Sequence, residues 1–345
     1  MRAAALLGGE LFVRDDVPDP HPEFGQVLVG VKACGICGSD LHFARHGAEM
    51  LALMDQIEGV PDLGAPPIDL GRDVFMGHEF AAEVLEVGPD TVGPDVGTIV
   101  TSIPILLSMT GVRPIVYSND LPAGYGEQML LSAPLLVEVP NGLDPRHAAL
   151  TEPMAVGLHA ANRAAIQAGQ GALVLGCGPV GLAVVAALKL QGVAHIVASD
   201  FSPARRAMAV QLGAHEAVDP RDEPAFVAWR RSGGSRPLVV FDAIGVPGII
   251  NDAMRAAPPR SRLVIVGVCM QPDTINPFFG ISKELDVHFA LGYDPMEFTD
   301  TLRHIAEGEI EVAPMITGEV GLEGVGEAFA ALADPDEHCK ILVVP

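Results

Sequence analysis

The chain has 345 residues, of which 49% are hydrophobic and 19% charged, so it has enough apolar material for about two packed domains and is not a disordered protein. Because 44 Asp and Glu oppose 21 Lys and Arg, the formal net charge is −23, and without a concentrated basic patch we expect neither nucleic acid nor a membrane as a partner. Five irregularly spaced cysteines exclude a disulfide framework, and the N-terminal apolar run is too short for a secretory signal, which together predict a reduced, cytoplasmic protein.

The first half of the chain is predicted to be mostly β. Short runs rich in Val and Gly, separated by turn residues, are typical of strands in such a domain. These runs are GQVLVGVKA (25–33), AAEVLEVG (81–88), GTIVTSIPIL (97–106) and LLVEVP (135–140).

The second half alternates helical and apolar segments. A helical stretch over 145–167 is followed by the apolar runs ALVLG (172–176), HIVASD (195–200), PLVVFDA (237–243), RLVIVG (262–267) and ELDVHFALG (284–292). Apolar runs of about five residues alternating with helices predict a parallel sheet covered on both faces. A helix over 294–310 and a terminal strand, CKILVV (339–344), then lead back to the first domain. The predicted fold is α/β, with a β-rich domain of residues 1–153 and 294–345 and a doubly wound domain of residues 154–293.

A phosphate-binding loop is predicted at the start of the doubly wound domain. Gly176, Gly178 and Gly181 form a GxGxxG with Pro179 and Val180 between the last two, after an apolar strand and before an alanine-rich helix. The first glycine permits the tight turn, the second admits a pyrophosphate and the third lets helix and strand pack closely. Segment 171–190 is also long enough to span a membrane, but the loop explains its glycines and proline.

Two charged residues downstream bear on the choice of dinucleotide. Asp200 ends the next predicted strand, 19 residues beyond Gly181. A carboxylate there accepts hydrogen bonds from the adenosine ribose and repels a 2′-phosphate, so NAD is favoured over NADP. Arg205 lies either against the adenine or a phosphate, or in solvent on its helix.

A metal site is predicted from side chains in three segments. Cys34 and Cys37 form a CxxC, which in isolation is either half a zinc knuckle or a redox pair, but the chain has neither a second CxxC nor a thioredoxin-like context. His78 and Glu79 follow, and then Glu152. One thiolate, one imidazole and one or two carboxylates leave a coordination position open, which is typical of catalytic rather than structural zinc.

These motifs, in this order, resemble the zinc-dependent medium-chain dehydrogenase/reductase superfamily over nearly the whole chain. The resemblance rests on GICGSDLH (35–42), GHE (77–79), EPMAVGLHA (152–160), GCGPVG (176–181) and Asp200, and is strongest to the polyol, butanediol and threonine dehydrogenases. It implies a GroES-like catalytic domain and a Rossmann domain.

The resemblance also implies a role for each residue of the site. Cys37 and His78 bind zinc, and Glu152 either binds it or holds the metal-bound water. Glu79 lies beside the metal and can exchange into its shell, so which glutamate is a ligand stays open. Ser39 contacts the alcohol oxygen, Asp40 orients His78, and His42 receives the proton.

The sequence departs from the family in two places. Many relatives carry four cysteines for a structural zinc, but segment 101–128 has none, so one catalytic zinc per chain is expected. We expect packing of its apolar residues or a partner subunit to hold this segment instead. The gap between Cys37 and His78 is 41 residues, and the extra material, 46–74, is partly apolar. It predicts a covered hydrophobic substrate pocket.

The sequence therefore predicts a zinc- and NAD-dependent alcohol dehydrogenase for a secondary or hydrophobic alcohol and its ketone. A polyol or amino-alcohol dehydrogenase, of the sorbitol, butanediol or threonine type, is the alternative within enzymes. A non-catalytic dinucleotide-binding protein is the alternative from another class. The resemblance further implies a homodimer or homotetramer.

Overall fold

Strands form most of the first half of the chain. The structure is a computed structural model, and it describes residues 1–59, 64–109 and 111–345. The elements of this half are β1 (Ala3–Leu7), β2 (Glu10–Arg14), β3 (Gln26–Gly35), α1 (Gly38–Met54), β4 (Val74–Met76), β5 (Glu79–Val87), β6 (Ile99–Ser102), β7 (Ile105–Ser108), β8 (Gly111–Pro114), β9 (Tyr117–Ser118), β10 (Gln128–Ser132) and β11 (Leu136–Glu138).

Helices and strands alternate in the second half. Its elements are α2 (Pro145–Ala148), α3 (Thr151–Ala164), β12 (Gly171–Leu175), α4 (Pro179–Leu190), β13 (Ile196–Ser199), α5 (Pro203–Leu212), β14 (Glu216–Val218), α6 (Ala225–Ser232), β15 (Leu238–Asp242), α7 (Ile249–Ala256), β16 (Arg262–Ile265), α8 (Pro277–Lys283), β17 (Asp286–Phe289), α9 (Pro295–Ala306), β18 (Ile316–Val320), α10 (Val325–Ala331) and β19 (Lys340–Val343).

The second half is built on a parallel sheet of six strands in the order β14-β13-β12-β15-β16-β17. Leu175 at the end of β12 pairs with Ser199 on one side and Asp242 on the other, so the carboxyl ends of the central strands lie level. The strand order reverses direction at β12, and ligands of such sheets bind outside the carboxyl ends at this point. The predicted doubly wound fold is confirmed.

The C-terminal strand returns to the sheet of the first half. β19 pairs antiparallel with β3, with Leu342 opposite Gly35, and β18 pairs parallel with β19. On the other side of β3, β5 is antiparallel, with Glu79 opposite Gly35. The start of β19 therefore lies beside the ends of β3 and β5, where the predicted metal residues begin.

The two halves meet along α3. The helical stretch predicted over 145–167 is two helices, α2 and α3, and the predicted boundary between residues 153 and 154 falls inside α3. A Cβ at Gly157 would lie 2.4 Å from the carbonyl carbon of Ala183, so α3 packs this closely on α4 because residue 157 is a glycine. The helix α3 thus packs against both halves of the chain.

Segment 171–190 consists of β12, the glycine loop and α4. Within the residues that the structure describes, none of the helices combines the length and apolar composition that crossing a membrane requires.

Candidate active site

The first part of the site is the turn between β3 and α1, where Cys37 is the N-cap residue of the helix. The Ile36 N–H donates to Ile341 O of β19, which fixes the approach to the helix. Asp40 Oδ2 accepts hydrogen bonds from the Cys37 N–H at 3.1 Å and from the Tyr125 hydroxyl at 2.6 Å. The Cys37 side chain is therefore placed by a buried carboxylate that is itself held in position.

His78 lies on the connection between β4 and β5, opposite Asp40. Its Nδ1 is 3.5 Å from Asp40 Oδ1, and both atoms are buried without a hydrogen-bond partner in the described chain. Burial alone would lower the pKa of His78, but Asp40 and then Cys37 hold it well above its usual value. This arrangement directs Nδ1 at a carboxylate and leaves Nε2 for a ligand, which is how metal-binding histidines are commonly oriented.

Glu79 is held by a lysine that the sequence did not indicate as part of the site. Lys340 Nζ donates to the two carboxylate oxygens of Glu79 at 2.7 and 2.6 Å, and also to Ile36 O at 2.9 Å. Both side chains are buried. A Cβ at Gly35 would lie 2.1 Å from Glu79 Oε2, so a glycine is required there. With both oxygens bound to Lys340, Glu79 is in an ion pair; its predicted exchange onto zinc stays a prediction.

Glu152 enters the site as the second residue of α3, and its carboxyl lies near the Tyr293 hydroxyl. Burial, and more weakly Glu79, raises the pKa of Glu152 to about 7, although His78, Lys340 and Tyr293 act in the opposite direction. Burial is therefore the dominant influence on this carboxyl.

The ligand atoms of Cys37, His78 and Glu152 do not all lie within 4.8 Å of one another. In the described chain, His159, Asp294 and Glu297 are the metal-type side chains whose ligand atoms all lie within 4.8 Å of one another. Hydrogen bonds explain that group, because Glu297 Oε2 lies 2.7 Å from His159 Nδ1 and accepts from the N–H of Asp294 at the start of α9.

The side chains at the predicted site nevertheless fit a metal. They supply a thiol, an imidazole and a carboxylate, which are the donors that catalytic zinc uses. His78 Nδ1 and Asp40 Oδ1 are 3.5 Å apart, and both are buried without a hydrogen-bond partner in the described residues. Cys37, His78 and Glu152 all line the same cavity.

One cavity of about 380 Å³ joins the two halves of the molecule at this place. It brings together the predicted metal, relay and loop residues, and its walls include Cys37, Ser39, His42, His78, Glu79, Glu152, Gly178, Pro179 and Val180. Residues after β16 and β17 complete it, among them Val266, Gly267, Val268, Ala290, Leu291 and Gly292. Sequence reasoning missed this last group, although the ends of parallel strands indicate where to look.

Ser39 and His42 lie three residues apart at the start of α1, which places them on one face of the helix. Ser39 is half-buried and His42 exposed, so the pair leads from the cavity towards solvent. Burial, with His46 and Arg45, lowers the pKa of His42, which favours its neutral form.

The glycine loop has the geometry of a phosphate cradle. Gly176 has a φ of +87°, and a Cβ at Gly181 would lie 2.0 Å from Gly176 O, so both positions require glycine. Gly178 is the N-cap residue of α4. The exposed N–H groups and the positive end of the helix dipole point to where a pyrophosphate binds.

Asp200 and Arg205 flank this loop. Asp200 accepts from the Cys177 N–H at 2.7 Å and from the Ser202 N–H at 2.8 Å, which fixes the carboxylate at the end of β13. A Cβ at Gly178 would lie 4.0 Å from Arg205 Nη1, and Arg205 Nε is buried without a partner in the described residues. Of its two predicted placements, Arg205 thus has the one beside the loop, and its unpaired donor fits a nucleotide ligand.

Comparison with known proteins assigns the family. The family described as “Alcohol dehydrogenase GroES-like domain” matches residues 23–141, and the one described as “Zinc-binding dehydrogenase” matches residues 179–307. The chain is 34% identical to (R,R)-butanediol dehydrogenase of Bacillus subtilis, with 96% of each chain covered. The chain belongs to the zinc-dependent medium-chain dehydrogenase family, in its polyol and butanediol branch.

Further relatives of this dehydrogenase agree. Sorbitol dehydrogenase of Bacillus subtilis is 26% identical (100% of this chain, 97% of the relative), and L-threonine 3-dehydrogenase of Thermococcus kodakarensis is 28% identical (95% and 93%). A crystal structure of 2R,3R-butanediol dehydrogenase from Bacillus subtilis superimposes with a TM-score of 0.81 at 30% identity (100% and 99%). A putative zinc-binding dehydrogenase from Sinorhizobium meliloti bound to NADP gives a TM-score of 0.82 at 27% identity (100% and 99%). The family thus supports an oxidoreductase with zinc and a nicotinamide cofactor.

In this dehydrogenase, packing and backbone hydrogen bonds hold the lobe that lacks the four cysteines. Of the apolar residues predicted to hold it, Leu106 and Ile115 are buried, Ile103, Ile105, Leu107 and Val116 half-buried, and Met109 exposed. Met109, at the tip of the β7–β8 hairpin, takes no part in this packing within the chain, and the alternative of a partner subunit stays a prediction. Ser132 Oγ accepts from the Leu107 N–H and donates to Ile105 O, which ties this hairpin to β10.

Proposed function

We propose that this protein is a zinc- and NAD-dependent dehydrogenase that interconverts the secondary alcohol of a vicinal diol and the corresponding ketone. The supporting observation is that one cavity holds Cys37, His78 and Glu152 on one side and the phosphate loop on the other. The sequence predicts a hydrophobic alcohol as the main substrate class and a polyol or amino-alcohol as the alternative. The relatives match the second better.

Cys37, His78 and Glu152 would hold the zinc. When bound, zinc supplies a Lewis acid that lowers the pKa of the substrate hydroxyl. Asp40 fixes the tautomer of His78, and Lys340 neutralises Glu79, so that one further negative charge does not crowd the site.

The protein's own residues carry the substrate's proton and bind the cofactor that accepts the hydride. The nicotinamide, when bound, would supply the acceptor for the hydride of the carbinol carbon, so the hydroxyl proton must leave separately. Ser39 in the cavity wall takes that proton, and the neutral His42 at the surface passes it to water. The loop and Arg205 hold the pyrophosphate side of the cofactor, and Asp200 binds the adenosine ribose and disfavours a 2′-phosphate.

The test is NADH formation by purified, zinc-loaded protein with a panel of diols, polyols, amino-alcohols and simple secondary alcohols. We expect turnover with butane-2,3-diol to exceed that with sorbitol, and Cys37→Ser to abolish it. Binding of NADH without turnover of any substrate would support the non-catalytic alternative and overturn the proposal.

A further inference from the structure

A second cavity lies beside the catalytic one. Its volume is about 440 Å³, and it shares Ser39 and Met50 with the catalytic cavity. Ser39 is the predicted contact of the substrate hydroxyl, so the second cavity lies beside the place where the substrate hydroxyl is expected. We call this second cavity the side chamber; a substituent on the reacting carbon would enter it past Ser39 and Met50.

The side chamber is built largely by the segment that lengthens this chain, the part of 46–74 that the structure describes. The chamber wall contains Met50, Leu51 and Met54 from α1, then Ala65, Pro66, Pro67 and Ile68, and opposite them Pro114, Val116 and Tyr117. These groups are apolar apart from the tyrosine hydroxyl. Arg72, Arg113, Asn119 and Asp120 also line it, and Arg113 is paired with Asp120.

Specific contacts hold the walls of the side chamber in place. The ring of Tyr117 stacks on Phe43 with centroids 3.9 Å apart and planes 10° from parallel. Asn119 Nδ2 donates to Asp69 O and to Asp73 O, each at 2.9 Å, and Asn119 Oδ1 accepts from the Asp69 N–H. The added segment is therefore anchored to the lobe opposite, and the space between them is a formed pocket.

The polar groups at the junction suit an oxygen-bearing substrate. The Tyr117 hydroxyl is buried without a hydrogen-bond partner in the described chain, and Ser39 lies near enough to act on its pKa, which burial raises. Beyond this point the walls are mostly methyl, methylene and ring carbons. A polyol chain would place its further hydroxyls against them and lose hydrogen bonds to water.

We propose that the side chamber binds an alkyl arm of the substrate, so that the preferred substrates are vicinal diols, or their hydroxyketones, with one arm several carbons long. This inference rests on the proposed function and narrows its substrate class. Each methylene that enters an apolar site is transferred out of water, which corresponds to about a fourfold gain in kcat/KM.

The first experiment measures kcat/KM for a series of 2,3-diols from butane-2,3-diol to octane-2,3-diol. We expect kcat/KM to rise about fourfold per added methylene until the chamber is filled. Turnover of butane-2,3-diol without any gain along the series would overturn the side chamber and leave the proposed function intact. No NAD-dependent turnover of any diol would overturn both.

The second experiment fills the chamber. Val116→Phe and, as a second variant, Met54→Trp narrow it, and Val92→Phe, on an exposed surface away from both cavities, is the control. We expect both filling variants to lower kcat/KM for octane-2,3-diol at least tenfold while that for butane-2,3-diol stays within twofold of wild type. Equal losses for both diols, or none, would contradict the assignment.

A binding measurement on metal-free protein is independent of turnover. Calorimetric titration with octan-2-one should give a Kd at least fivefold weaker for Val116→Phe than for Val92→Phe. Equal affinities of the two variants would place the alkyl arm elsewhere.

Discussion

Asp40 is the residue that connects the parts of the metal site. It receives hydrogen bonds from the N–H of Cys37 and from the hydroxyl of Tyr125, and it faces His78. A carboxylate in this position holds the backbone of Cys37 and faces the imidazole of His78. The positions of Cys37 and His78 thus both depend on the buried carboxylate of Asp40.

His42→Ala tests the proton path. Because burial and neighbouring cations lower the pKa of His42, the imidazole is neutral at pH 7 and can accept a proton. Its loss should lower kcat/KM at pH 7 by about tenfold or more, with partial recovery at high pH where hydroxide takes the proton. His21→Ala, at an exposed position of the same half of the chain, is the control. A pH–rate profile for His42→Ala that matches wild type would remove His42 from the mechanism.

Asp200→Ser tests the choice of cofactor. The variant loses a charge that repels a 2′-phosphate and an acceptor for the ribose hydroxyls. We expect the ratio of kcat/KM for NAD to that for NADP to fall at least about tenfold. Asp222→Ser, an exposed acid of the same domain, controls for net charge. Wild-type preference for NADP, or an unmoved ratio, would refute the role of Asp200.

Residues whose role follows from a local motif could be predicted, and residues whose role depends on a distant partner could not. The residues Cys37, His78, Gly178 and Asp200 lie in short motifs, and the structure places the first three around one cavity. Lys340 and Glu79 are 261 positions apart in the sequence, and Tyr125 and Asp40 are 85 positions apart, yet each pair is hydrogen-bonded. No local pattern around Lys340 or Tyr125 encodes such a pairing.

At the scale of elements, strand β19 contributes a buried lysine to the candidate active site. By returning to β3, it places the ammonium of Lys340 against the carboxylate of Glu79, with both groups buried. Burial alone would lower the pKa of Lys340, but Glu79 raises it well above its usual value. The C-terminal strand is thus part of the active-site framework.

Lys340→Met should be strongly destabilising, because it leaves a buried carboxylate unpaired. The expected cost is about 3–5 kcal/mol in the free energy of unfolding, and Glu79→Gln combined with Lys340→Met should recover much of it. Since the folded pKa of Lys340 is raised, its stabilising effect is complete below about pH 10 and is lost only above it. Chemical denaturation of metal-free protein at pH 7 would measure both variants, and equal stability of Lys340→Met and wild type would contradict the account.

Helices and strands with a clear hydrophobic pattern could be predicted from the sequence, but the points at which helices break or kink could not. The apolar runs at 172–176 and 262–267 correspond to β12 and β16, each buried on both faces. The break between α2 and α3 and the kink of α1 at His46, where φ is −133°, leave no such pattern. Such local changes of direction depend on the tertiary structure around each helix.

On the scale of the whole molecule, the outer edge of the parallel sheet is exposed and apolar. In the described residues β17 has a partner strand on one side, β16, and its neighbourhood exposes Phe278, Ile281, Val287, Phe289 and Leu291. An open apolar edge invites pairing with another strand. We propose that a second copy of the chain pairs there, which agrees with the expected homo-oligomer.

Phe289→Lys should break this pairing, because it places a charge in the apolar contact. Light scattering should show wild type with the mass of two or more chains and the variant with a lower mass. Val92→Lys, at a fully exposed position of the other half, is the control and should keep the wild-type mass. A monomeric wild type, or a Phe289→Lys variant of unchanged mass, would refute the interface.

The central claim is a single catalytic zinc held by Cys37, His78 and Glu152. Segment 101–128 offers no thiolate, and in the described residues packing and hydrogen bonds hold its hairpin, so no second closed site is expected. The most direct test is elemental analysis of metal-replete protein beside Cys37→Ser. The account predicts one zinc per chain in wild type and a loss of that zinc in the variant. Two tightly held zincs per chain, or none with diol oxidation intact, would contradict it.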